Sequence, residues 1–192
     1  MWHTLETCVW HTPFLLSGYQ DLSSTYPQLE LFFVKRLKVK KVTSSMLIKE
    51  ISKMVAKKSP DYADVRKRLI DVGMMLAKTK LDKATNDALS ELAESKFLPK
   101  RLAGGDTVLL GRHDAYAIRD HARYGSAFAE HGILLDFLVE EVQIMNVMFE
   151  HMGVKKHYLS SLVVEESTVE NGAEEDDDLT QQLQAKAYAL YW

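Results

Sequence analysis

The spacing of apolar residues predicts that the first half of the chain is helical. Apolar positions recur at intervals of three and four along residues 27–95, which is typical of amphipathic helices. Pro27 stands where a first helix can begin, and Thr43 or Ser44 is suited to cap a second one. A third helix is predicted from Tyr62 to about Lys78, and a fourth from Asp82 to about Ser95. The positions that we expect to be buried are Leu29, Phe32, Phe33 and Leu37, then Met46, Leu47, Ile51, Met54 and Val55, then Val65, Leu69, Val72, Met75 and Leu76, and finally Ala84, Ala88, Leu89 and Leu92.

The apolar pattern changes after residue 96, where short runs separated by turn residues predict strands. The runs 97–102 and 107–110 flank Ala103-Gly104-Gly105-Asp106, and a glycine pair between apolar runs is a hairpin signal. Two further short strands are predicted at 115–119 and 132–137, with one or two helical turns at 121–129 between them.

A long amphipathic helix is predicted from Val139 to Met152, with Gly153 at the left-handed position that often ends a helix. Because Leu138 has no side-chain oxygen, Asp136 is the residue that we expect to cap it. The simplest role for its apolar stripe is core packing. Methionines also suit adaptable protein contacts, so partner contact is considered for Met145, Met148, Phe149 and Met152.

These elements predict an α+β fold, with a helical N-terminal half followed by a small hairpin-containing sheet that packs on the long helix. Three helices and then a hairpin is also the element order of a winged helix. We predict an N-terminal helical segment at 1–44, an α+β, winged-helix-like module at 45–164, an acidic disordered linker at 165–178 and a C-terminal helix at 179–192. The helical pattern breaks off at Trp192, so a truncated chain or fragment is expected.

The formal net charge of −3 conceals a strong asymmetry along the chain. Between Glu165 and Asp178 there are eight acidic and no basic residues, and subtracting that −8 from −3 leaves +5 for the rest. One cysteine, Cys8, excludes an internal disulfide and fits a reducing compartment. Neither a secretory signal nor a membrane-spanning run is evident. The expectation is an intracellular protein, cytoplasmic or nuclear, without membrane contact.

No arrangement of side chains predicts catalysis. The seven histidines lack the spacing of a helical zinc site, and Cys8 has no neighbouring feature that would activate a thiol. Gly104-Gly105 is too short for a phosphate-binding loop. The aspartates near strand ends suit turns and caps, and they are Asp106, Asp114, Asp120 and Asp136. We therefore expect no catalytic residue, no metal and no cofactor.

A basic run, with five cations in seven residues, is the clearest charged feature outside the acidic segment. It is suited to nucleic-acid contact or nuclear import, and also to a solvated helix end where cations oppose the helix dipole. The run comprises Lys35, Arg36, Lys38, Lys40 and Lys41. Against DNA binding, the fourth helix, which would be the recognition helix of a winged helix, has four acidic residues and only Lys83 as a cation.

Four short motifs resemble the large sacsin-like or NO VEIN-like fungal proteins. They are FLPKR at 97–101, YAIRD at 116–120, GILLDF-x-x-EEV at 132–142 and HMG-x4-YLS at 151–160. The resemblance implies a non-catalytic, helical and winged-helix-like region of proteins that have a histidine-kinase or Hsp90-type ATPase domain elsewhere. None of that family's nucleotide-binding residues has a counterpart in this chain.

The sequence thus predicts a non-enzymatic interaction or scaffold module derived from a large ATPase-type protein, with an unidentified protein partner. The alternative is a winged-helix module that binds nucleic acid through the basic run 35–41.

Overall fold

The computed structural model of the protein describes residues 4–14, 16–102, 104–128 and 132–164. The predicted acidic linker and C-terminal helix lie outside these residues. Among the described helices, none has the length and apolar character needed to cross a membrane.

An N-terminal unit, residues 4–42, contains a small parallel sheet that the apolar pattern does not predict. A 3₁₀ turn at Leu5–Thr7 leads into the central strand β1, Cys8–Trp10, which lies between β2, Gln20–Asp21, and β3, Lys40–Lys41. Val9 pairs with Asp21 on one side and Lys40 on the other. A separate apolar cluster closes this unit, formed by Cys8, Trp10, Leu22 and Val39 with Phe33, Val34 and Leu37.

The first predicted helix is present as a six-residue π-helical segment, Leu31–Arg36. The amide of Leu37 donates to the carbonyl of Phe32 at 3.0 Å, a bond that spans five residues. This wider turn changes which side chains share a face. Phe33 and Leu37 point toward the sheet, whereas Leu29 and Phe32 are exposed, contrary to the prediction that all four are buried.

The next three helices follow the predicted pattern, except that Ala84, which we expected to be buried, is exposed. They are α1, Ser44–Val55, α2, Tyr62–Leu76, and α3, Lys83–Ala93, and α1 packs against both of the others. Each begins at a side-chain cap that accepts a backbone N–H, which satisfies a donor left free at the helix start. The caps are Thr43, Asp61 and Asp82.

The predicted hairpin is confirmed as β4, Lys96–Arg101, paired antiparallel with β5, Thr107–Gly111. Gly105 has a φ of +87°, the backbone geometry that a glycine adopts at no steric cost. The two strands predicted after it are wrong. In the described part of this region the pairing is limited to two isolated bridges, Ala117 with Leu134 and Ile118 with Tyr158, while the helical turns between them form α4, Ala122–Ala127.

The long predicted helix is divided at Met145 into α5, Val139–Ile144, and α6, Asn146–His151. Asp136 does not cap it. Glu141 instead accepts the backbone N–H of Leu138 at 2.8 Å, so the start of α5 is closed from within the helix. A 3₁₀ turn at Lys155–His157 and α7, Leu159–Leu162, complete the described chain.

The main core lies where α1, α2 and α3 meet the hairpin and α5–α6. Its largest fully buried side chains include Phe97, Phe149, Leu47, Ile48, Ile51, Leu69, Leu89 and Met145. The predicted α+β class with a helical N-terminal half is confirmed. The winged-helix arrangement stays a prediction.

Candidate functional site

The methionine-rich stripe lies inside the main core. Met145, Met148, Phe149 and Met152 are each at most 1% exposed, and Phe149 packs edge-on against Phe137 with ring centroids 6.0 Å apart. A partner therefore has no access to these side chains unless the core opens. The stripe stabilises the fold, which was the simpler of its two predicted roles.

The basic run, by contrast, lies on the surface of the N-terminal unit. All five side chains, Lys35, Arg36, Lys38, Lys40 and Lys41, are exposed. Lys41 pairs with Glu30 at 2.7 Å. Among the described residues the other four form no ion pair. The run is therefore a surface of nearly uncompensated positive charge.

An exposed apolar strip precedes the basic run by only a few residues. It comprises Tyr26, Leu29, Leu31 and Phe32, whose exposed fractions are 44%, 44%, 65% and 49%. Exposed apolar side chains that occur singly are ordinary, but four within seven residues, directly before a basic run, are typical of an interaction site. We call these four residues the apolar strip, and the strip together with the basic run the N-terminal surface.

The ring of Phe33 packs between the apolar strip and the sheet of the N-terminal unit. It contacts the rings of Trp10, Tyr26 and Phe32, at centroid distances of 5.9, 5.3 and 5.4 Å. Stacked and edge-on aromatic pairs each contribute about 0.5–1.5 kcal/mol beyond burial. Although the strip faces solvent, its backbone is thus fixed by an aromatic cluster.

Lys38 links the helical segment to β3 through an unusual backbone conformation. Its φ is +58°, in the left-handed region that favours glycine. The next amide, that of Val39, donates to the carbonyl of Phe33 at 2.9 Å and closes the end of the helical segment. A lysine at this position costs stability that a glycine would not.

A groove of about 610 Å³ lies between the N-terminal unit and α2. Lys41, which belongs to the basic run, and its ion-pair partner Glu30 line one part of it. Trp10, His11, Pro13 and Val42 line the rest of the N-terminal side, and Asp71, Met74, Met75 and Lys78 line the side of α2. The groove combines apolar walls with charges of both signs, so its lining does not favour a ligand of one sign.

Among the described residues, polar and cation–π contacts anchor the N-terminal unit to α1 and α2. The hydroxyl of Ser17 donates to the buried carboxylate of Glu50 at 2.6 Å, and Lys53 lies 3.6 Å from the other oxygen. The guanidinium of Arg68 lies over the ring of Phe14, 4.4 Å from its centroid. The N-terminal surface is therefore presented on a unit that is anchored to α1 and α2.

Sequence reasoning missed a cluster of charges around Arg66 on α2. Its Nη2 lies 2.5 Å from Oε2 of Glu141, and its Nε donates to the carbonyl of Asp136 at 2.5 Å. Arg101 on β4 also approaches the Asp136 carboxylate, at 3.5 Å. Glu141 and Asp136 are thus engaged by arginines, and the cluster joins α2, β4 and the start of α5. Only long-range proximity reveals it, because these residues are up to 75 positions apart.

His157 forms a second internal junction. Its Nδ1 lies 3.2 Å from the carbonyl oxygen of Tyr116, and its Nε2 lies 3.1 Å from that of Arg112. The imidazole also stacks on the Tyr116 ring, with centroids 4.1 Å apart. Through these three contacts, the ring of His157 fixes the segment that follows the hairpin. Burial, and secondarily the charge of Asp114, raises the pKa of the Tyr116 phenol.

Tyr158, the residue after His157, has a raised phenol pKa, as Tyr116 has. Its hydroxyl donates to Oδ1 of Asn146 at 3.2 Å. Burial first, and then the charges of Asp120 and Glu150, raises the pKa of this phenol to about 12. At neutral pH, Tyr158 is therefore a hydrogen-bond donor that joins the end of the described chain to α6.

The other residues considered for chemistry have local roles. Asp114 accepts the amide of Gly111 at 2.8 Å, Asp120 accepts that of Ser160 at 3.1 Å, and the buried thiol of Cys8 donates to the carbonyl of Thr4 at 3.3 Å. Asp106 lies exposed in the hairpin turn. Within the described part of the chain, no group of three or more histidine, cysteine or acidic side chains is placed to hold a metal.

The α+β body matches a known family model. The match covers residues 45–163, and the model is described as a domain of unknown function, DUF8348. The chain belongs to this family. No curated protein and no solved structure matches the chain significantly. The DUF8348 region includes the methionine-rich stripe, the Arg66 cluster and the His157 junction, whereas the whole N-terminal surface lies outside it.

Proposed function

We propose that the chain is a non-enzymatic interaction module that binds an acidic, partly apolar protein segment through its N-terminal surface. The observation that carries the proposal is the juxtaposition of the exposed apolar strip with five exposed cations between residues 26 and 41. The DUF8348 region supplies the folded support. The N-terminal unit, anchored to it through Glu50 and Arg68, presents the binding surface.

The composition of the surface favours a partner with two kinds of group. Burying the apolar strip supplies affinity, at about 25 cal/mol for each Å² of apolar area removed from water. The cations attract acidic groups, accelerate association and fix the register of the partner. A segment that combines carboxylates with a few apolar side chains therefore matches both halves of the surface.

The backbone at Lys38 gives independent support. Residues kept in costly backbone conformations cluster at functional sites, where a local loss of stability is tolerated for the sake of a particular side chain. Glycine at position 38 would relieve the cost and would also remove a cation from the centre of the basic run. A lysine at this costly backbone position is what a charge-dependent binding surface requires.

Nucleic-acid binding is a second candidate, favoured by the basic run together with exposed Tyr26 and Phe32, since aromatic rings beside cations suit single strands. The acidic face of α3 disfavours a winged-helix mode that uses this helix. Asp87 and Glu91 are exposed on the helix and Asp82 and Glu94 are exposed at its two ends, where Glu94 pairs with Arg112. Three carboxylates that are uncompensated among the described residues would repel a duplex.

The proposal is tested with a fluorescent synthetic peptide in which a block of glutamates is followed by spaced leucines. Its affinity for the full chain is measured by anisotropy. We expect the double variant L31S/F32S to lose at least about tenfold in affinity, because the leucines lose their apolar contact, and K35E/R36E to lose a similar factor.

Two control variants make the result specific. Leu162→Ser changes a similarly exposed apolar residue outside the surface, and K57E/K58E reverses two exposed lysines after α1. Both should keep the affinity within about twofold. A loss at the controls equal to the loss at the surface would overturn the proposal. Tighter binding of DNA that is unaffected by L31S/F32S would replace it with the nucleic-acid candidate.

The resemblance to sacsin-like and NO VEIN-like proteins also remains a proposal. It would make the chain a scaffold module of proteins that have an Hsp90-type ATPase domain elsewhere, with its site of action in the cytoplasm or nucleus. An interaction surface without catalytic groups suits such a role, since the ATPase would perform the chemistry and this module would select the partner.

A further inference from the structure

The chain contains a segment with the same chemistry as the proposed partner. Residues 165–178 have eight acidic and no basic residues, and the apolar residues Leu179, Leu183, Leu190, Tyr191 and Trp192 come after them. The N-terminal surface is suited to both parts, because its cations match the acidic run and its apolar strip matches the apolar residues. We propose that residues 165–192 dock on the N-terminal surface of the same chain and compete with an external partner. The inference rests on the proposed function in that it assigns regulation to the same surface.

Charge complementarity is the first argument. The part of the chain outside residues 165–178 has a formal charge of +5 and the acidic run has −8, while the basic run places five cations within seven residues. Of its five cations only Lys41 is paired among the described residues. Segments of opposite sign attract each other over about 8–10 Å at physiological salt. The exposed carboxylates of α3, Asp87 and Glu91, would repel the acidic run.

Reach is the second argument. The densest acidic part, Glu174–Asp178, follows the last described residue, Val164, by 10 to 14 positions. An extended chain spans about 3.3 Å per residue, so this part reaches about 33–46 Å from Val164. A folded body of this size is about 40 Å across. The reach of the acidic run is therefore comparable with the width of the folded body of its own chain.

Effective concentration decides between docking within one chain and docking between two. A tethered segment of this length is present at its target at about millimolar concentration. At micromolar protein concentration, a neighbouring copy cannot compete with it. The docking is thus intramolecular and weak, since exposed ion pairs contribute about 0–1 kcal/mol each. A partner with a better apolar block would displace it.

Zero-length carbodiimide cross-linking of the full chain tests the inference directly. It joins lysines to carboxylates in contact, and we expect links from Lys35, Lys38 and Lys40 to residues 165–178 within the monomer at low salt. The links should fall several-fold at high salt. Lys57 and Lys58 serve as internal controls, because they are exposed lysines outside the surface.

Two outcomes would overturn the inference. One is a yield at Lys57 and Lys58 equal to that at the basic run, and the other is linkage only between differently labelled copies in an isotope-mixing experiment. A full-length variant, E174Q/E175Q/D176N/D177N/D178N, gives the second readout. It should lose the links to residues 174–178 and bind the synthetic peptide about three- to tenfold more tightly.

The two proposals fail in different ways. If the peptide binds the wild type and the neutralised variant equally and no specific links form, docking of the chain's own segment is wrong and the interaction function stands. If the links form but the peptide binds neither protein, the function is wrong and the docking stands.

Discussion

Gly73 on α2 lies directly against Met145, the residue at which α5 gives way to α6. A Cβ at position 73 would be 2.7 Å from Cγ of Met145 and 3.1 Å from its Cα. The helix therefore approaches the backbone of the α5–α6 junction at a distance that only glycine permits. This contact explains a buried glycine inside a helix, where it would otherwise reduce stability.

Gly73→Ala tests the contact, because the close approach reverses the sign of the expected change in unfolding free energy. In an unconstrained helix the change stabilises by about 1 kcal/mol, but here we expect a loss of about 1–3 kcal/mol because the core is overpacked. The measurement is the free energy of unfolding in urea. Lys67→Ala, at an exposed position of the same helix, should change it by less than about 0.5 kcal/mol. A stabilised Gly73→Ala variant would refute the close approach.

A second close contact joins Gly125 in α4 to Arg119. A Cβ at position 125 would lie 2.5 Å from both Cγ and Cδ of the arginine, whose Nε is buried without a hydrogen-bond partner among the described residues. We expect Gly125→Ala to cost about 1–2 kcal/mol in the wild type and almost nothing in an Arg119→Ala background. A double-mutant cycle with no coupling energy would contradict the contact.

His157 should be among the most sensitive polar residues of the DUF8348 region. His157→Ala removes contacts to two carbonyl oxygens and a ring stack, so we expect a loss of about 2 kcal/mol in unfolding free energy. His151→Ala, at an exposed position of α6, is the matched control and should have little effect. Equal effects of the two substitutions would show that the junction contributes nothing.

Tyr158 makes stability depend on pH in the alkaline range. Its pKa is about 12 in the folded protein against an ordinary value of 10.0. Between these values the unfolded chain loses the phenolic proton and the folded chain keeps it, so stability falls as pH rises through this window. This group contributes up to about a tenfold change in the unfolding equilibrium per pH unit.

Tyr158→Phe removes that contribution, and the fall in stability above pH 10 should be shallower than in the wild type. Denaturant titrations at a series of pH values measure the slope. Parallel slopes for the two proteins would mean that Tyr158 is not protected from ionisation in the fold.

Lys38→Gly separates stability from binding. The left-handed backbone at Lys38 suits glycine, so we expect the variant to be more stable by about 1 kcal/mol. Because a cation is lost from the basic run, affinity for the acidic peptide should fall about twofold or more. A variant that is more stable and binds equally well would remove the functional reason for the lysine.

Much of the helical body was predictable because its elements are long and their signals are local. Thr43, Asp61 and Asp82 cap three helices, and Gly104-Gly105 indicates the hairpin. The sheet of the N-terminal unit was not predictable, since two-residue strands such as β2 and β3 have no period to detect.

The candidate site was only half predictable. The charges of the basic run are evident in the sequence, but the exposure of Leu29 and Phe32 is not, because a 3.6-residue period places them with Phe33 and Leu37. The π-helical turn separates these pairs. For the Met145–Met152 stripe, the sequence pattern predicts an apolar face of a helix. It does not predict whether the protein's own core or a partner covers that face.

The central claim is that the N-terminal surface binds an acidic, partly apolar segment, and amide chemical-shift mapping of the full chain tests it most directly. On addition of the synthetic glutamate–leucine peptide, the perturbed amides should cluster at residues 26–41, with no change along the exposed face of α3. Perturbations confined to the DUF8348 region, or none at saturating peptide, would contradict the account.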